Sequence, residues 1–65
     1  MILVVNGEEK EVLSQNVYDL MVELGIEEKV MAVAVNMDIV KKENWKTFEL
    51  NANDRVEFLQ FVGGG

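Results

Sequence analysis

The sequence predicts a small α+β domain with four to five strands and one helix. Three observations carry this prediction: two strand-like segments around an Asn-Gly dipeptide, one amphipathic stretch with helical spacing, and an alternating apolar stretch near the C-terminus. The chain has 65 residues, which is room for one domain, and 49% of them are hydrophobic, which is typical of a folded protein. We therefore expect one domain that folds by packing alone.

The N-terminal segment predicts a β-hairpin. Residues 2–5 and residues 10–13 are strand-like, and Asn6-Gly7 lies between them. This dipeptide favours a tight turn because both of its residues tolerate positive φ angles.

Asn16 begins the predicted helix. Apolar side chains then recur with helical spacing at Val17, Leu20, Met21 and Leu24. Asp19 stands three residues after Asn16, as in a capping box, and Gly25 is a natural C-terminal stop. A helix of two to three turns offers one narrow apolar face, so it needs a sheet to cover.

The middle of the chain predicts further strands. Residues 30–35 are a β-branched and alanine run of strand length, which we interpret as a buried central strand. Residues 39–40 are a short apolar segment. Residues 48–50 are expected to form another short strand. Trp45 lies between these segments and is expected to cover one edge of the core.

Residues 55–62 predict the last strand, which ends directly at the terminal glycines. Side chains of a strand alternate between its two faces. If Val56 and Phe58 face the helix, Leu59 and Phe61 lie on the opposite face of the sheet.

The inventory of side chains excludes most enzyme chemistries. Without His or Cys, the chain cannot form His-based acid–base pairs, nucleophilic triads, disulfides or thiolate metal sites. Glu9 and Glu11 are expected to be solvated surface residues. Three methionines with helical or strand spacing are expected to fill the core: Met21, Met31 and Met37. We expect no catalytic residue, no metal site and no bound cofactor.

Charge and apolar patterning argue against nucleic-acid and membrane partners. The net charge of -6 lies within residues 1–40, which hold eight acids and two lysines. The longest later apolar run, residues 30–35, is too short to span a bilayer, and residues 1–5 lack the basic start of a signal peptide. We expect a cytoplasmic protein.

The C-terminus is the remaining place for chemistry, because Gly63, Gly64 and Gly65 follow an apolar strand directly. Glycine has no Cβ, so such a tail passes through a channel too narrow for side chains, and three extended residues reach roughly 10 Å. A terminal carboxylate needs activation, for which acyl adenylation by an ATP-using partner is the usual route. The tail therefore indicates a carrier rather than an enzyme, and the alternative is a flexible end without function.

Over essentially its whole length, the sequence resembles the ThiS-type sulfur carriers of bacterial thiamine biosynthesis, which are ubiquitin-like β-grasp proteins. The resemblance lies in Asn6-Gly7, the capped helix, residues 33–36, residues 39–40, Trp45, residues 54–56 and residues 61–65. The sequence departs from the family at Lys41-Lys42, where Pro-Arg is frequent, and at Asn53-Asp54, where Gly-Asp is frequent. These departures affect turns and surface rather than the tail.

The resemblance implies a β-grasp domain over residues 1–62, with a mixed sheet of four to five strands packed on one α-helix, and a flexible glycine tail over residues 63–65. It also implies that an adenylyltransferase of the ubiquitin-activating type uses ATP to adenylate the Gly65 carboxylate. A sulfur donor such as a cysteine desulfurase then gives a thiocarboxylate, which thiazole synthase uses to build the thiazole of thiamine. Gly63 and Gly64 are the lead that threads into the partner's active site.

Apolar residues next to the tail are the expected docking patch for these partners: Leu59, Phe61 and Val62.

Two other functions stay open at this point. The first is a related β-grasp carrier for molybdopterin synthesis or tRNA thiolation, or a ubiquitin-like protein modifier. The second is a non-covalent β-grasp interaction module whose glycines are incidental.

Overall fold

The computed structural model describes residues 1–61, which form five strands, one α-helix and one 3₁₀ turn. In chain order the elements are β1 Ile2–Val5, β2 Glu8–Glu11, α1 Val17–Leu24, β3 Val30–Val35, β4 Asp38–Val40, a 3₁₀ turn Lys42–Asn44 and β5 Arg55–Gln60. The α+β class and the single helix are confirmed.

The five strands form one mixed sheet in the order β2-β1-β5-β3-β4. β1 and β5 are parallel, while the other neighbouring pairs are antiparallel. The central strand is therefore β5, and the expectation that residues 30–35 form the central strand is wrong, since β3 lies between β5 and β4. In β3, Val33 and Val35 are buried and Ala32 and Ala34 are half-buried. This alternation shows that only one face of the sheet is covered.

The N-terminal hairpin closes through a two-residue turn. Asn6 and Gly7 have φ angles of 48° and 85°, and the strands pair immediately beside the turn at Val5 and Glu8. β2 therefore begins two residues before the predicted segment 10–13. Backbone pairing continues directly from such a tight turn, whatever the polarity of the side chains.

The helix is capped as predicted. Oδ1 of Asn16 accepts a 2.8 Å hydrogen bond from the backbone N–H of Asp19, and Nδ2 of Asn16 donates to the Asp19 carboxylate at 3.0 Å. Gly25 ends the helix with a left-handed φ of 70°. Leu20 and Met21 are fully buried on the face that packs against the sheet.

Trp45 packs against the core, as predicted. Its side chain is 6% exposed, and Nε1 donates a 2.9 Å hydrogen bond to the carbonyl of Val40. The indole thus satisfies a backbone acceptor at the end of β4 while it covers one edge of the core.

Two of the three methionines lie outside the core, which contradicts the expectation for Met31 and Met37. Met31 lies where the pairing of β3 with β5 shifts register between Val30 and Ala32. Met37 lies in the β3–β4 turn with φ 73°. Only Met21 fills the core, because it alone lies on the buried face of a regular element.

Residues 48–50 do not form a strand. Glu49 makes an isolated bridge with Asn16, and the N–H of Leu50 donates to the carbonyl of Gln15 at 2.8 Å. These contacts hold the segment between the 3₁₀ turn and β5 against the start of the helix. Within residues 1–61, no helix is long and apolar enough to cross a membrane.

Candidate docking and transfer site

The central strand carries the chain towards its C-terminus. Beyond the end of β5, the N–H of Phe61 donates a 2.7 Å hydrogen bond to the carbonyl of Lys29, which ties the last described residue to the segment before β3. The point at which the chain leaves the domain is therefore anchored to the sheet.

The predicted attachment and threading residues lie outside the described residues: Val62, Gly63, Gly64 and Gly65. The predicted domain boundary after residue 62 lies there too, so both stay predictions.

Leu59 and Phe61 are each 61% exposed, whereas Val56 and Phe58 are buried in the core. β5 ends at Gln60, whereas the sequence predicted a strand over residues 55–62. The alternation within β5 places Leu59 on the face opposite Val56 and Phe58, as predicted, and Phe61, one residue beyond the strand, is exposed as well. Two large apolar side chains lie in solvent within two residues of each other, immediately before the tail. Their role in docking stays a prediction.

The exposed apolar surface extends across the sheet to β4. Ala32 pairs with Leu59, and Ala34 pairs with Ile39, which is itself exposed. Because the two alanines are small, a hollow of about 310 Å³ lies between the larger side chains. We call this surface the outer patch, and its members are Ala32, Ala34, Ile39, Leu59 and Phe61.

Sequence reasoning missed three members of the outer patch: Ala32, Ala34 and Ile39. A signal was present, because valine and alanine alternate over residues 32–35 and so place both alanines on one face of the strand. The pairing of β3 with β4 and β5 could not be read from that alternation.

Two asparagine side chains hold β5 at its two sides. Oδ1 of Asn6 accepts a 2.8 Å hydrogen bond from the N–H of Phe58, and Oδ1 of Asn36 accepts a 3.0 Å hydrogen bond from the N–H of Arg55. Nδ2 of Asn36 also donates to the Asp54 carboxylate at 3.0 Å. Both asparagines have left-handed φ angles, of 48° and 50°. The sequence predicted a turn at Asn6, but not the contact of either asparagine with β5.

Glu23 lies in the last turn of α1, and its carboxylate reaches the loop that precedes the helix. Hydrogen bonds from the Ser14 hydroxyl and from the backbone N–H groups of Leu13 and Ser14 lower the pKa of Glu23 below its ordinary value. The carboxylate thereby fastens the segment between β2 and α1 to the helix. This is a structural role.

Carboxylates do not gather into a metal site in the described part of the chain, where no group of three or more His, Cys, Asp or Glu side chains is placed to hold an ion. Glu9 and Glu11 are exposed on β2, as predicted. The features that the described residues offer for a partner are the anchored end of β5 and the exposed apolar surface beside it.

Comparisons with a family model and with known proteins indicate the same family. The model of the ThiS family matches residues 3–65. The sulfur carrier protein ThiS of Bacillus subtilis is 37% identical over 49 residues, which cover 75% of this chain and 74% of that protein. A thiazole synthase of Paramagnetospirillum magneticum is 39% identical over 66 residues. That similarity covers all of this chain, which spans about a fifth (20%) of the length of the synthase.

Solved structures agree with the sequence comparisons. The crystal structure of a thiamine biosynthesis protein, ThiS, from Geobacter metallireducens is 34% identical and superposes with a TM-score of 0.81 over the full length of both chains. A solution structure of a thiamine biosynthesis protein from the same organism gives a TM-score of 0.80 at 32% identity, covering all of this chain and 88% of that one. The β-grasp fold implied by the sequence is confirmed.

Proposed function

The chain belongs to the ThiS family of small sulfur carriers of thiamine biosynthesis, and on this premise we propose that its sulfur travels as a thiocarboxylate at Gly65. The observation that carries the proposal is the extent of the family match, which continues through the three terminal glycines to residue 65. The side-chain inventory supports it, because a chain without His or Cys has no thiol to hold sulfur and no imidazole to activate a nucleophile.

The first step is activation of the terminal carboxylate. A carboxylate oxygen of Gly65 attacks the α-phosphorus of ATP, pyrophosphate leaves, and the product is an acyl adenylate. This step takes place in an adenylyltransferase of the ubiquitin-activating type, so ATP binds to the partner and the carrier is its substrate. The carrier itself is not an enzyme in this scheme.

The second step introduces sulfur. A sulfide-equivalent nucleophile attacks the carbonyl carbon, AMP leaves, and a C–S bond replaces the bond to the adenylate oxygen. If the donor is a cysteine persulfide, such as the one formed by a cysteine desulfurase, an acyl disulfide results. A second thiol then attacks the donor's cysteine sulfur in this S–S bond and forms a disulfide with it, and the thiocarboxylate leaves on Gly65.

The described residues support separate roles for the folded domain, which docks, and the glycine tail, which enters the partner. The bond from Phe61 to Lys29 fixes where the chain leaves the sheet, and the outer patch provides apolar surface beside that point. We propose that the outer patch, with Val62, rests on the partner while Gly63 and Gly64 lead Gly65 into its active site. Glycines suit this role because a narrow channel then accommodates backbone alone.

Thiazole synthase is the proposed acceptor of the sulfur. The synthase from P. magneticum contains a stretch similar to this whole chain, which supports a working relation between a carrier of this kind and that enzyme. The acyl adenylate requires ATP, so the proposal places the reaction in the cytoplasm.

The proposal is tested by intact mass. The chain is incubated with an adenylyltransferase of the ubiquitin-activating type, ATP and sulfide, and the mass is expected to rise by the difference between one sulfur and one oxygen. Fragmentation should place the change on Gly65. A variant with one alanine appended after Gly65 serves as the control and should stay unmodified. Equal modification of that variant would contradict the proposal.

A further inference from the structure

The central strand has an open edge beside the tail. β1 pairs with β5 at only two positions, Val4 with Arg55 and Val5 with Val56, and then turns away at Asn6. β5 continues to Gln60 and remains paired on its other side, where Val30 lies opposite Gln60. Among residues 1–61, β5 therefore has a neighbouring strand on one side only over its last residues. We call this gap, between Asn6 and Gln60, the notch.

Backbone groups of alternate residues of β5 point towards the side on which β1 and the notch lie. The carbonyl of Asp54 accepts from the N–H of Val4, the carbonyl of Val56 accepts from the N–H of Asn6, and the N–H of Phe58 donates to Oδ1 of Asn6. With the two-residue period of a strand, the carbonyl of Phe58 and the N–H of Gln60 face the same way. The Asn6 side chain accepts from the Phe58 N–H at the closed end of the notch. Within the described part of the chain, no strand pairs with the Phe58 carbonyl or the Gln60 N–H on this side.

The notch opens to both faces of the sheet. A hollow of about 300 Å³ on the helix side is lined by Leu24 and Ile26 and by the charged residues Glu8 and Lys10. The hollow of the outer patch lies on the other side of the sheet. Both hollows include Asn6 and Phe58. Successive side chains of a strand added to β5 would point alternately into the two hollows.

A partner that must recognise the terminal glycines has a reason to pair with the open edge of β5. Gly63, Gly64 and Gly65 offer backbone groups alone, so their register in a channel is fixed by main-chain hydrogen bonds rather than by side-chain pockets. A strand that already pairs with Phe58 and Gln60 sets that register before the glycines begin.

We propose that the notch receives an extended segment of the activating enzyme, which adds to β5 as a strand and fixes the register of the tail. This inference rests on the proposed function. Three charged side chains line the two hollows, and two of them are acidic, Glu8 and Glu57, while the third is Lys10. The surroundings of the notch are thus acidic on balance, and a basic residue on the added strand complements them. A second copy of this chain is a poor occupant, since its β2 edge carries Glu8, Glu9 and Glu11 and the chain has a net charge of -6.

Hydrogen exchange on the unmodified chain tests the proposal directly. The chain is mixed with the adenylyltransferase and ATP without a sulfur source, exchanged in heavy water, quenched and read by NMR. The N–H of Gln60 should exchange at least about tenfold more slowly in the complex than in the free chain. An unchanged rate at Gln60 in a chain that the enzyme does adenylate overturns strand addition and leaves the proposed function intact.

Total synthesis supplies the matching variants. Replacement of the amide between Leu59 and Gln60 by an ester removes the Gln60 N–H and keeps every side chain. It should raise the Kd for the enzyme about three- to tenfold, whereas Gln60→Ala should change it less than about twofold. An ester before Ala52, an exposed turn residue, controls for the ester itself.

The outcomes separate the two claims. An effect of Gln60→Ala equal to that of the Gln60 ester would indicate side-chain recognition and overturn the proposal. If the wild-type chain is never adenylated, the proposed function fails and strand addition by an activating enzyme fails with it.

Discussion

Asn6 and Phe58 are joined by a 2.8 Å hydrogen bond from the backbone N–H of Phe58 to the side-chain oxygen of Asn6, across 52 residues of sequence. The bond links the first turn of the chain to the strand that leads to the glycine tail. It also ends the pairing of β1 with β5, because the asparagine side chain occupies the position at which the next strand residue would pair.

Asn6→Gly should destabilise the fold by about 1 kcal/mol, because the partly buried N–H of Phe58 loses its acceptor while glycine keeps the left-handed turn. Chemical denaturation measures the change. Asn53→Gly is the matched control, since Asn53 also has a left-handed φ, of 71°. Its free energy of unfolding should change by less than about 0.5 kcal/mol. Equal effects of the two substitutions would show that backbone conformation, not the hydrogen bond, accounts for the change in the free energy of unfolding.

Leu59→Ser should weaken recognition and spare stability. Leu59 is 61% exposed, so its replacement should change the free energy of unfolding by less than about 0.5 kcal/mol. If Leu59 anchors the outer patch, kcat/KM for adenylation should fall about tenfold. Leu13→Ser is the control, because Leu13 is 92% exposed in the loop before the helix. Equal losses with both variants would argue against a localised docking patch.

Glu23→Gln should remove part of the acid sensitivity of the fold. The pKa of Glu23 is lowered by its hydrogen bonds, first of all that from the Ser14 hydroxyl. The ionised form therefore stabilises the folded state above the unfolded pKa of about 4.3, and this contribution is lost as pH falls through the folded pKa.

Unfolding free energies measured from neutral to acidic pH check this prediction. They should decline less steeply in Glu23→Gln than in the wild type. Ser14→Ala should lie between the two, because the backbone donors of Leu13 and Ser14 remain. Identical pH profiles for the wild type and Glu23→Gln would show that the carboxylate contributes nothing.

Trp45→Phe should lower stability by about 1–3 kcal/mol, since the Val40 carbonyl at the edge of the core loses its donor. At a temperature where the variant stays folded, thiocarboxylate formation should proceed at the wild-type rate, because Trp45 packs inside the domain. Thermal unfolding and a timed intact-mass assay measure the two quantities. A slowed reaction in a fully folded variant would instead place Trp45 in the partner interface.

Local signals predicted much of this fold. Asn6-Gly7 and the Asn16 to Gly25 helix were readable because turn and cap chemistry depend on residues close in sequence. The start of β2 was misplaced because the backbone pairs directly after the turn through polar residues, where hydrophobic periodicity gives no signal.

Long-range contacts were not readable. The register that sets Ala34 beside Ile39, and the contact of Asn6 with Phe58, depend on which strands are neighbours. No local pattern specifies that choice. The exposure of Met31 likewise follows from a register shift between β3 and β5, which apolar composition does not reveal.

Transfer of labelled sulfur shows whether the thiocarboxylate at Gly65 is the source of the thiazole sulfur. The chain is prepared as a thiocarboxylate with a heavy sulfur isotope at Gly65 and supplied to thiazole synthase with its remaining substrates, with ordinary sulfide present in solution. We expect the thiazole to contain the heavy isotope, in an amount equal to the thiocarboxylate consumed. A thiazole that carries only ordinary sulfur would contradict this expectation.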